Sequence, residues 1–429
     1  MLNQRLKDAS WDQNIIQQLA FPDNFFTLAP CGWMVAFSGG IDSRVLLDLA
    51  FKAHQISGIP VSVIHLNHQI NPKAASWAQQ CALTAAQLNL PFKLVALPNN
   101  LAGPNLEERL RGLRYEAFKV HLPPKWGLLL AHHAGDQAET VLLQLMRGAG
   151  VLGLAGMPKS SKPWHQGFSW RPLLDVTRQM ITSYATDSHL SWVEDDSNAD
   201  TRFSRNWVRH QLLPLIIKRQ PAAPLNFNRS AECLAQSIEL LEEVALNDWN
   251  LTQQADLNAS TTTVDFRALE GLSEAHIFNF WRFFWRHLSL PMPSKNWLSL
   301  FWRTITQAKD DAKVSFTLAQ LTIKRYQHKV YFLAHGAAFK CDAAGRITFP
   351  DERKFSLTMP LDGGYWRTLA LNATVLRADG AARTWGKWAQ NLKIPPWWRT
   401  NIPTWWRQES LVMVPGFWAA KGYSYQEVN

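Results

Sequence analysis

Two short segments early in the chain have the residue types and spacing of a site that handles phosphate. The first is Ser38-Gly39-Gly40-Ile41-Asp42-Ser43, set between an apolar run and a helical pattern. Two glycines allow a tight turn with bare N–H groups, the helix start adds partial positive charge, and Ser38 and Ser43 add hydroxyls. That is a phosphate cradle. It lacks the lysine of G-x-x-x-x-G-K-[ST] and the spacing of G-x-G-x-x-G, so neither a P-loop kinase nor a dinucleotide binder is indicated. The second segment is His132-His133-Ala134-Gly135-Asp136-Gln137-Ala138-Glu139-Thr140. Asp136 and Glu139 lie three apart and share a helix face. Paired carboxylates beside a phosphate cradle suit Mg²⁺, which takes one or two carboxylates together with nucleotide oxygens.

Two further groups carry polar chemistry. His65-Leu66-Asn67-His68 ends another apolar run; its two imidazoles have no third metal ligand in sequence, so polar contacts are expected of them. Arg111 and Arg114 also share a helix face and can hold phosphate or an RNA backbone, the alternative being a solvated, salt-bridged surface.

These groups need a frame to bring them together. Strand-length apolar runs at Trp33–Phe37, Val61–Leu66, Phe92–Leu97 and Trp126–Ala131 alternate with helical stretches at 41–56, 73–89, 105–120 and 136–147. That alternation predicts an α/β domain with a parallel sheet, whose ligand lies at the carboxyl ends of the strands. A long loop is expected near 159–169, a helix at 203–219 and a linker at Gln220–Pro224. Beyond it, helices are expected at 230–251, 273–289 and 294–308, then strands at 314–318, 321–325 and 330–333. A tail of short strands around one helix, 382–392, ends the chain. The expected organisation is therefore a catalytic domain (1–219), a mainly helical domain (225–335) and a small α+β C-terminal domain (350–429).

Composition narrows the function classes. The chain has 429 residues, 47% hydrophobic and 18% charged, enough for buried cores. No apolar run reaches the roughly 18 residues of a membrane span, and the start has no secretory h-region. Four scattered cysteines exclude a disulfide scaffold and fit a reducing cytoplasm. The net charge of +10 divides as +3 on residues 1–215 and +7 on 216–429, and the second half holds 13 of the 21 tryptophans. Basic charge among aromatic rings suggests a nucleic-acid partner, with rings available to stack on bases.

The S-G-G-x-D-S segment resembles the pyrophosphate-binding loop of the N-type ATP pyrophosphatases, which cleave ATP between its α- and β-phosphates to activate an acceptor as an adenylate. The wider set resembles the tRNA(Ile)-lysidine synthetases. It comprises H-x-N-H at 65–68, L-R-x-x-R-Y at 110–115, H-H-x-x-D-Q-x-E-T at 132–140, Arg171-Pro172-Leu173-Leu174, Glu194–Asn198, Arg205–Arg209 and the tail Lys393–Arg399. That family usually has a second aspartate where this chain has Gly135, a glycine at Gln69, an alanine at Leu110, and an acidic residue near 73–77.

The resemblance implies ATP-dependent joining of free L-lysine to C2 of the wobble cytidine of tRNA(Ile) with anticodon CAU, through an adenylated base. It implies ATP held by Ser38, Gly39, Gly40, Ile41, Asp42, Ser43, His65 and Asn67, and Mg²⁺ held by Asp42, Asp136 and Glu139. Arg111 and Arg114 are expected to steady phosphates, with His132 or His133 as a proton acceptor for the lysine amine. Arg205, Lys387, Lys393 and Arg399 are the expected tRNA contacts and a cytoplasmic location is expected; a homodimer is compatible with the family, the oligomeric state being left open by the sequence. The alternatives are another tRNA-modifying ATP pyrophosphatase or a decayed, purely tRNA-binding protein. A sulfur-inserting enzyme is disfavoured by the absence of paired cysteines.

Overall fold

The computed structural model describes residues 10–26, 29–69, 71–98, 106–161, 167–194, 204–252, 263–309, 314–318, 321–334, 338–341, 346–350, 354–357, 364–376 and 382–428. Asn105, which begins one expected helix, and Asp195–Asn198 of one sequence motif lie outside them. Contacts divide the chain into two compact units, 1–239 and 240–429.

The first unit is built on a five-stranded parallel sheet in the order β3-β2-β1-β4-β5. The strands are β1 (Gly32–Ala36), β2 (Val61–Asn67), β3 (Phe92–Ala96), β4 (Trp126–Leu129) and β5 (Phe168–Trp170). Helices α1 (Trp11–Ala20), α2 (Ile41–Ser57), α3 (Ala74–Gln87), α4 (Leu106–His121), α5 (Ala134–Met146) and α6 (Arg178–Asp187) surround the sheet, and the helical segment 204–219 carries Arg205 and Arg209. Trp33, Met34 and Val35 of β1 are all buried, as a central strand covered on both faces requires. A Cβ on Gly32 would fall 2.4 Å from the Trp126 ring, and one on Gly127 would fall 2.4 Å from the Trp33 ring. Two glycines thus make space for two indoles, which lock β4 against β1. The winding runs outward through β2 and β3, then reverses to β4 and β5. The crevice beyond the ends of β1 and β4 is therefore a topological switch point, where such sheets bind ligands.

Two local expectations need correction. The expected 159–169 loop ends in β5, which at three residues is too short to show an alternating pattern. The expected 220–224 linker runs into helix α7, Ala223–Leu251, because Pro224 falls in the first turn, where a missing N–H costs nothing.

The second unit contains α8 (Glu274–His287), α9 (Lys295–Gln307) and an antiparallel sheet ordered β6-β9-β8-β7. These strands are β6 (Thr263–Asp265), β7 (Ser315–Leu318), β8 (Leu321–Tyr326) and β9 (Lys329–Ala334). Two further four-stranded antiparallel sheets follow, with the helix Trp385–Asn391. Each of the 13 tryptophans of residues 216–429 lies in or against a hydrophobic cluster. Trp281, for example, meets Phe301 edge-on at 5.0 Å. The base-stacking expected from aromatic content is thus largely core packing, which composition cannot distinguish from an RNA platform.

Candidate active site

The loop after β1 has the tight turn and bare N–H groups that its residues suggested. Gly39 has φ +91°, a region side chains rarely adopt, and a Cβ there would lie 3.0 Å from Cys81 Sγ. Gly40 then caps α2, leaving the first-turn N–H groups of Ile41, Asp42 and Ser43 without helical partners. Ser43 Oγ accepts from the Ser38 N–H at 3.2 Å and donates to the Gly40 carbonyl at 2.9 Å. The two hydroxyls stand 3.1 Å apart. Gly39 O accepts from Val193 N–H at 2.9 Å, bracing the loop from the far side.

Three of the imidazoles that face the crevice have tautomers fixed by their partners. His65 Nδ1 lies 2.8 Å from the carbonyl of Phe37, which can only accept, so Nδ1 carries the proton and Nε2 a lone pair. His133 caps α5 and accepts from Gly135 N–H through Nδ1 at 2.9 Å, so its proton is on Nε2. That Nε2 stands 3.9 Å from Asp42 Oδ1 and 3.6 Å from Asp136 Oδ2. His132 Nδ1 accepts from Arg171 Nε at 3.3 Å, so it too is protonated on Nε2. Burial holds His65 and His68 below the ordinary histidine range, Arg114 adding to the effect at His68. Burial, followed by Arg171, Arg205 and Arg111, pushes His132 down to about 3 against an opposing pull from Asp136. His132 and His133 thus enter the site as hydrogen-bond donors, and the proton-accepting role expected of them has no lone pair to use in this arrangement.

Asp136 and Glu139 do share a face of α5, and arginines occupy them. Glu139 accepts from Arg205 Nε at 2.8 Å and from Arg209 Nε at 2.6 Å, one on each oxygen, with its side chain only 2% exposed. Asp136 Oδ1 receives Arg205 at 3.2 Å and Arg209 at 2.9 Å, while Oδ2 accepts the His133 N–H at 3.0 Å. Burial alone would raise the Asp136 pKa, but His133, Arg205, His132 and Arg209 hold it below the usual carboxylate range. Asp42 is paired with Arg178 at 2.5 Å, the arginine side chain being 54% exposed. No cluster of three or more His, Cys, Asp or Glu suited to a metal occurs among the described residues. Glu139, with both oxygens taken, therefore does not fit the metal-ligand role expected of it. Asp42 fits, being partly exposed beside a displaceable arginine; Asp136, whose oxygens are likewise engaged by Arg205, Arg209 and the His133 N–H, does not.

Two cavities open on this wall, of about 770 and 1050 Å³. The first is lined by His65, Asn67, His68 and Trp77, the second by Asp136, Glu139, Arg178, Arg205 and Arg209; Ser38, Asp42, Arg111, Arg114 and His132 line both. Nucleotide-sized space on one side of the loop thus adjoins a charged chamber on the other. The chain matches the PP-loop domain over residues 13–216, the TilS substrate binding domain over 265–331 and the TilS substrate C-terminal domain over 373–428. It is 32% identical to the tRNA(Ile)-lysidine synthase of Vibrio vulnificus (strain YJ016) over 415 residues, covering 92% of this chain and 93% of that one. The corresponding protein of Pectobacterium atrosepticum is 33% identical over 408 residues, covering 90% and 91%. The chain belongs to the tRNA(Ile)-lysidine synthase family.

Departures from that family's usual pattern have local explanations. Gln69, at a usual glycine, adopts φ +56°; its N–H bonds Asn67 Oδ1 at 2.8 Å and its amide bonds Leu97 O at 3.0 Å. Asn67, an expected ATP ligand, spends its oxygen on this turn. Other expected contacts also have protein partners. Arg205, an expected tRNA contact, is built into the Asp136–Glu139 pair. Arg399 bonds Ile394 O at 2.9 Å and Tyr326 Oη at 3.3 Å, and its carbonyl accepts from the Trp385 indole at 2.6 Å. Lys387 and Lys393 are exposed. Arg111 lies over the Tyr115 ring at 5.1 Å. Reading by motif missed Arg171, Arg178 and Arg209 as site residues. Arg171 and Arg209 sat within motifs already marked, and an arginine's partner 39 or more residues away leaves no trace in spacing.

Proposed function

We propose that this chain performs the family's reaction as follows: ATP, free L-lysine and the wobble cytidine of a CAU-anticodon tRNA(Ile) give lysidine, AMP and pyrophosphate. The observation that carries the reading is the juxtaposition at one switch point of a phosphate cradle, a donor imidazole pair and a chamber lined by carboxylates and arginines. The cytosine O2 attacks the α-phosphorus and pyrophosphate leaves; the lysine ε-amine then attacks C2, the C2–O bond breaks and AMP departs. Ser38, the N–H groups after Gly40, and Arg111 and Arg114 hold the phosphates and oppose the charge that grows on the leaving group.

Asp42 would hold Mg²⁺ together with phosphate oxygens, Arg178 giving way there. When bound, the ion supplies further positive charge to the departing pyrophosphate. The lysine must attack as a neutral amine. With both imidazoles acting as donors, its proton goes to a carboxylate of the chamber or to water. The acidic lining of the chamber suits an ammonium group, and its arginines suit a carboxylate, so the free amino acid fits there by charge. Lysine as the acceptor amine, Mg²⁺ and a cytoplasmic setting belong to this same proposal.

The test is incorporation of labelled lysine into a CAU-isoleucine tRNA transcript, with a CAU-methionine tRNA as control. ATP-dependent labelling of the isoleucine tRNA alone is the expected result. Absence of labelling despite tRNA binding would favour a decayed, tRNA-binding protein.

A further inference from the structure

His132 stands where the two cavities meet, and one buried arginine determines what it can do there. Arg171 is 3% exposed and lines neither cavity. Its guanidinium reaches three acceptors: His132 Nδ1 from Nε at 3.3 Å, Pro158 O from Nη1 at 2.8 Å and Tyr115 Oη from Nη2 at 3.1 Å. A guanidinium has no lone pair to offer, so the His132 nitrogen facing it must accept. The ring's single proton is thereby forced onto Nε2, which makes no hydrogen bond among the described residues. Arg171 begins the Arg171-Pro172-Leu173-Leu174 segment, whose Pro172, Leu173 and Leu174 are all buried, so the fork rests on a rigid base.

We propose that Arg171 is a positioning residue that locks His132 as an Nε2–H donor at the junction of the two cavities, aimed at an anionic oxygen of the nucleotide or its adenylate. The proposal rests on the functional reading above, because it needs a phosphoryl group at that junction. Its chemistry is that of a preset donor. Negative charge shifts among the phosphoryl oxygens as pyrophosphate leaves, and a hydrogen bond already aimed there needs no reorganisation. A ring free to exchange tautomers would for part of the time turn a lone pair toward the same anion. Burial beside arginines also disfavours the charged ring, which keeps it a neutral donor.

The decisive experiment uses the full chain labelled with ¹⁵N-histidine. Two-bond proton–nitrogen spectra report which ring nitrogen carries the proton, and His132 is assigned as the signal lost in His132→Gln. An Nε2–H pattern for His132 is expected in the wild-type protein, and exchange between tautomers in Arg171→Met. An Nδ1–H or doubly protonated wild-type ring would overturn the proposal, whether or not any variant folds. A mutant cycle then separates positioning from general support of the fold. Arg171→Met is expected to lower kcat for lysine incorporation about 10- to 100-fold, with KM for ATP nearly unchanged. In the His132→Gln background, where an amide replaces the ring, the same change is expected to cost less than about twofold. Losses that multiply independently would show that Arg171 acts through the fold instead. Wild-type protein with the Nε2–H signature but no lysidine product would overturn the functional reading and leave the Arg171–His132 assignment standing.

Discussion

A Cβ on residue 135 would stand 2.7 Å from Cε1 and 3.0 Å from Nδ1 of His133, so the glycine is what allows that ring to fold back over the start of α5. From there Nδ1 accepts the Gly135 N–H and Nε2 faces Asp42 and Asp136. The family's usual aspartate at this position would collide with the ring as it is placed here. The glycine thus leaves the site one carboxylate fewer and places an imidazole N–H 3.9 Å from Asp42 and 3.6 Å from Asp136.

Gly135→Ala tests this relationship without adding charge. The methyl group must displace His133, which removes the cap of α5 at a cost of about 1 kcal/mol, while alanine's better helix propensity returns about 0.5–1 kcal/mol. Tm should therefore move by no more than about 2 °C, readable by calorimetry. Lysine incorporation should fall further than so small a loss of stability explains. Unchanged turnover would show that the position of His133 is irrelevant to the reaction.

Glu139 is a buried anion between two arginines, and removing one side of such a set leaves the other uncompensated. Glu139→Ala should cost about 3–5 kcal/mol of stability in the first unit, measured by urea denaturation. Asp42→Asn, at a partly exposed residue, should leave the urea midpoint nearly unchanged and lower turnover. If the two variants exchange these phenotypes, Glu139 and not Asp42 is the group that meets the substrates.

Acid should unfold the first unit through its histidines. His132 takes up a proton near pH 6.5 when unfolded but only near 3 when folded, so the unfolded chain gains protons first and stability falls as pH drops between those values. The slope from this one group is up to about 1.4 kcal/mol per pH unit. His65 and His68, also lowered, act in the same direction. Asp136, held below the usual carboxylate range, extends the loss below about pH 4. Denaturation midpoints measured from pH 7 to 4.5 should show a shallower decline in His132→Gln. An identical decline would mean that His132 titrates normally in the fold.

The frame and the place of the candidate site within it were legible because both rest on local patterns. Apolar runs mark β1 to β4, and in a parallel sheet the residues just past them converge whatever the loops do. The S-G-G-x-D-S segment carries its own backbone logic, and the structure gives Gly39 the positive φ that two glycines advertise. What sequence could not show is pairing at long range. Asp136 and Glu139 read as free carboxylates because their partners, Arg205 and Arg209, arrive from about 70 residues away. The tautomers of His132 and His133 depend on neighbours that spacing does not specify. Tryptophan content could not tell two roles apart: a ring that stacks on a base and a ring such as Trp281 that fills a core are the same letter.

Lys387, Lys393 and Arg399 look equivalent in sequence, and the structure separates them. The two lysines are exposed, whereas Arg399 is engaged with Ile394 O and Tyr326 Oη. If the lysines face tRNA phosphates, replacing both with Gln should weaken tRNA binding and reduce the slope of log Kd against log salt by about 2, leaving the thermal transition in place. Arg399→Ala should do the reverse. Two lost hydrogen bonds in a half-buried setting cost about 1–3 kcal/mol, which lowers Tm, while the salt slope keeps its wild-type value. Binding titrations at several salt concentrations, paired with melting curves, check both halves. A salt slope that falls with Arg399→Ala at unchanged Tm would return that arginine to the RNA-facing set and make its contact with Tyr326 dispensable.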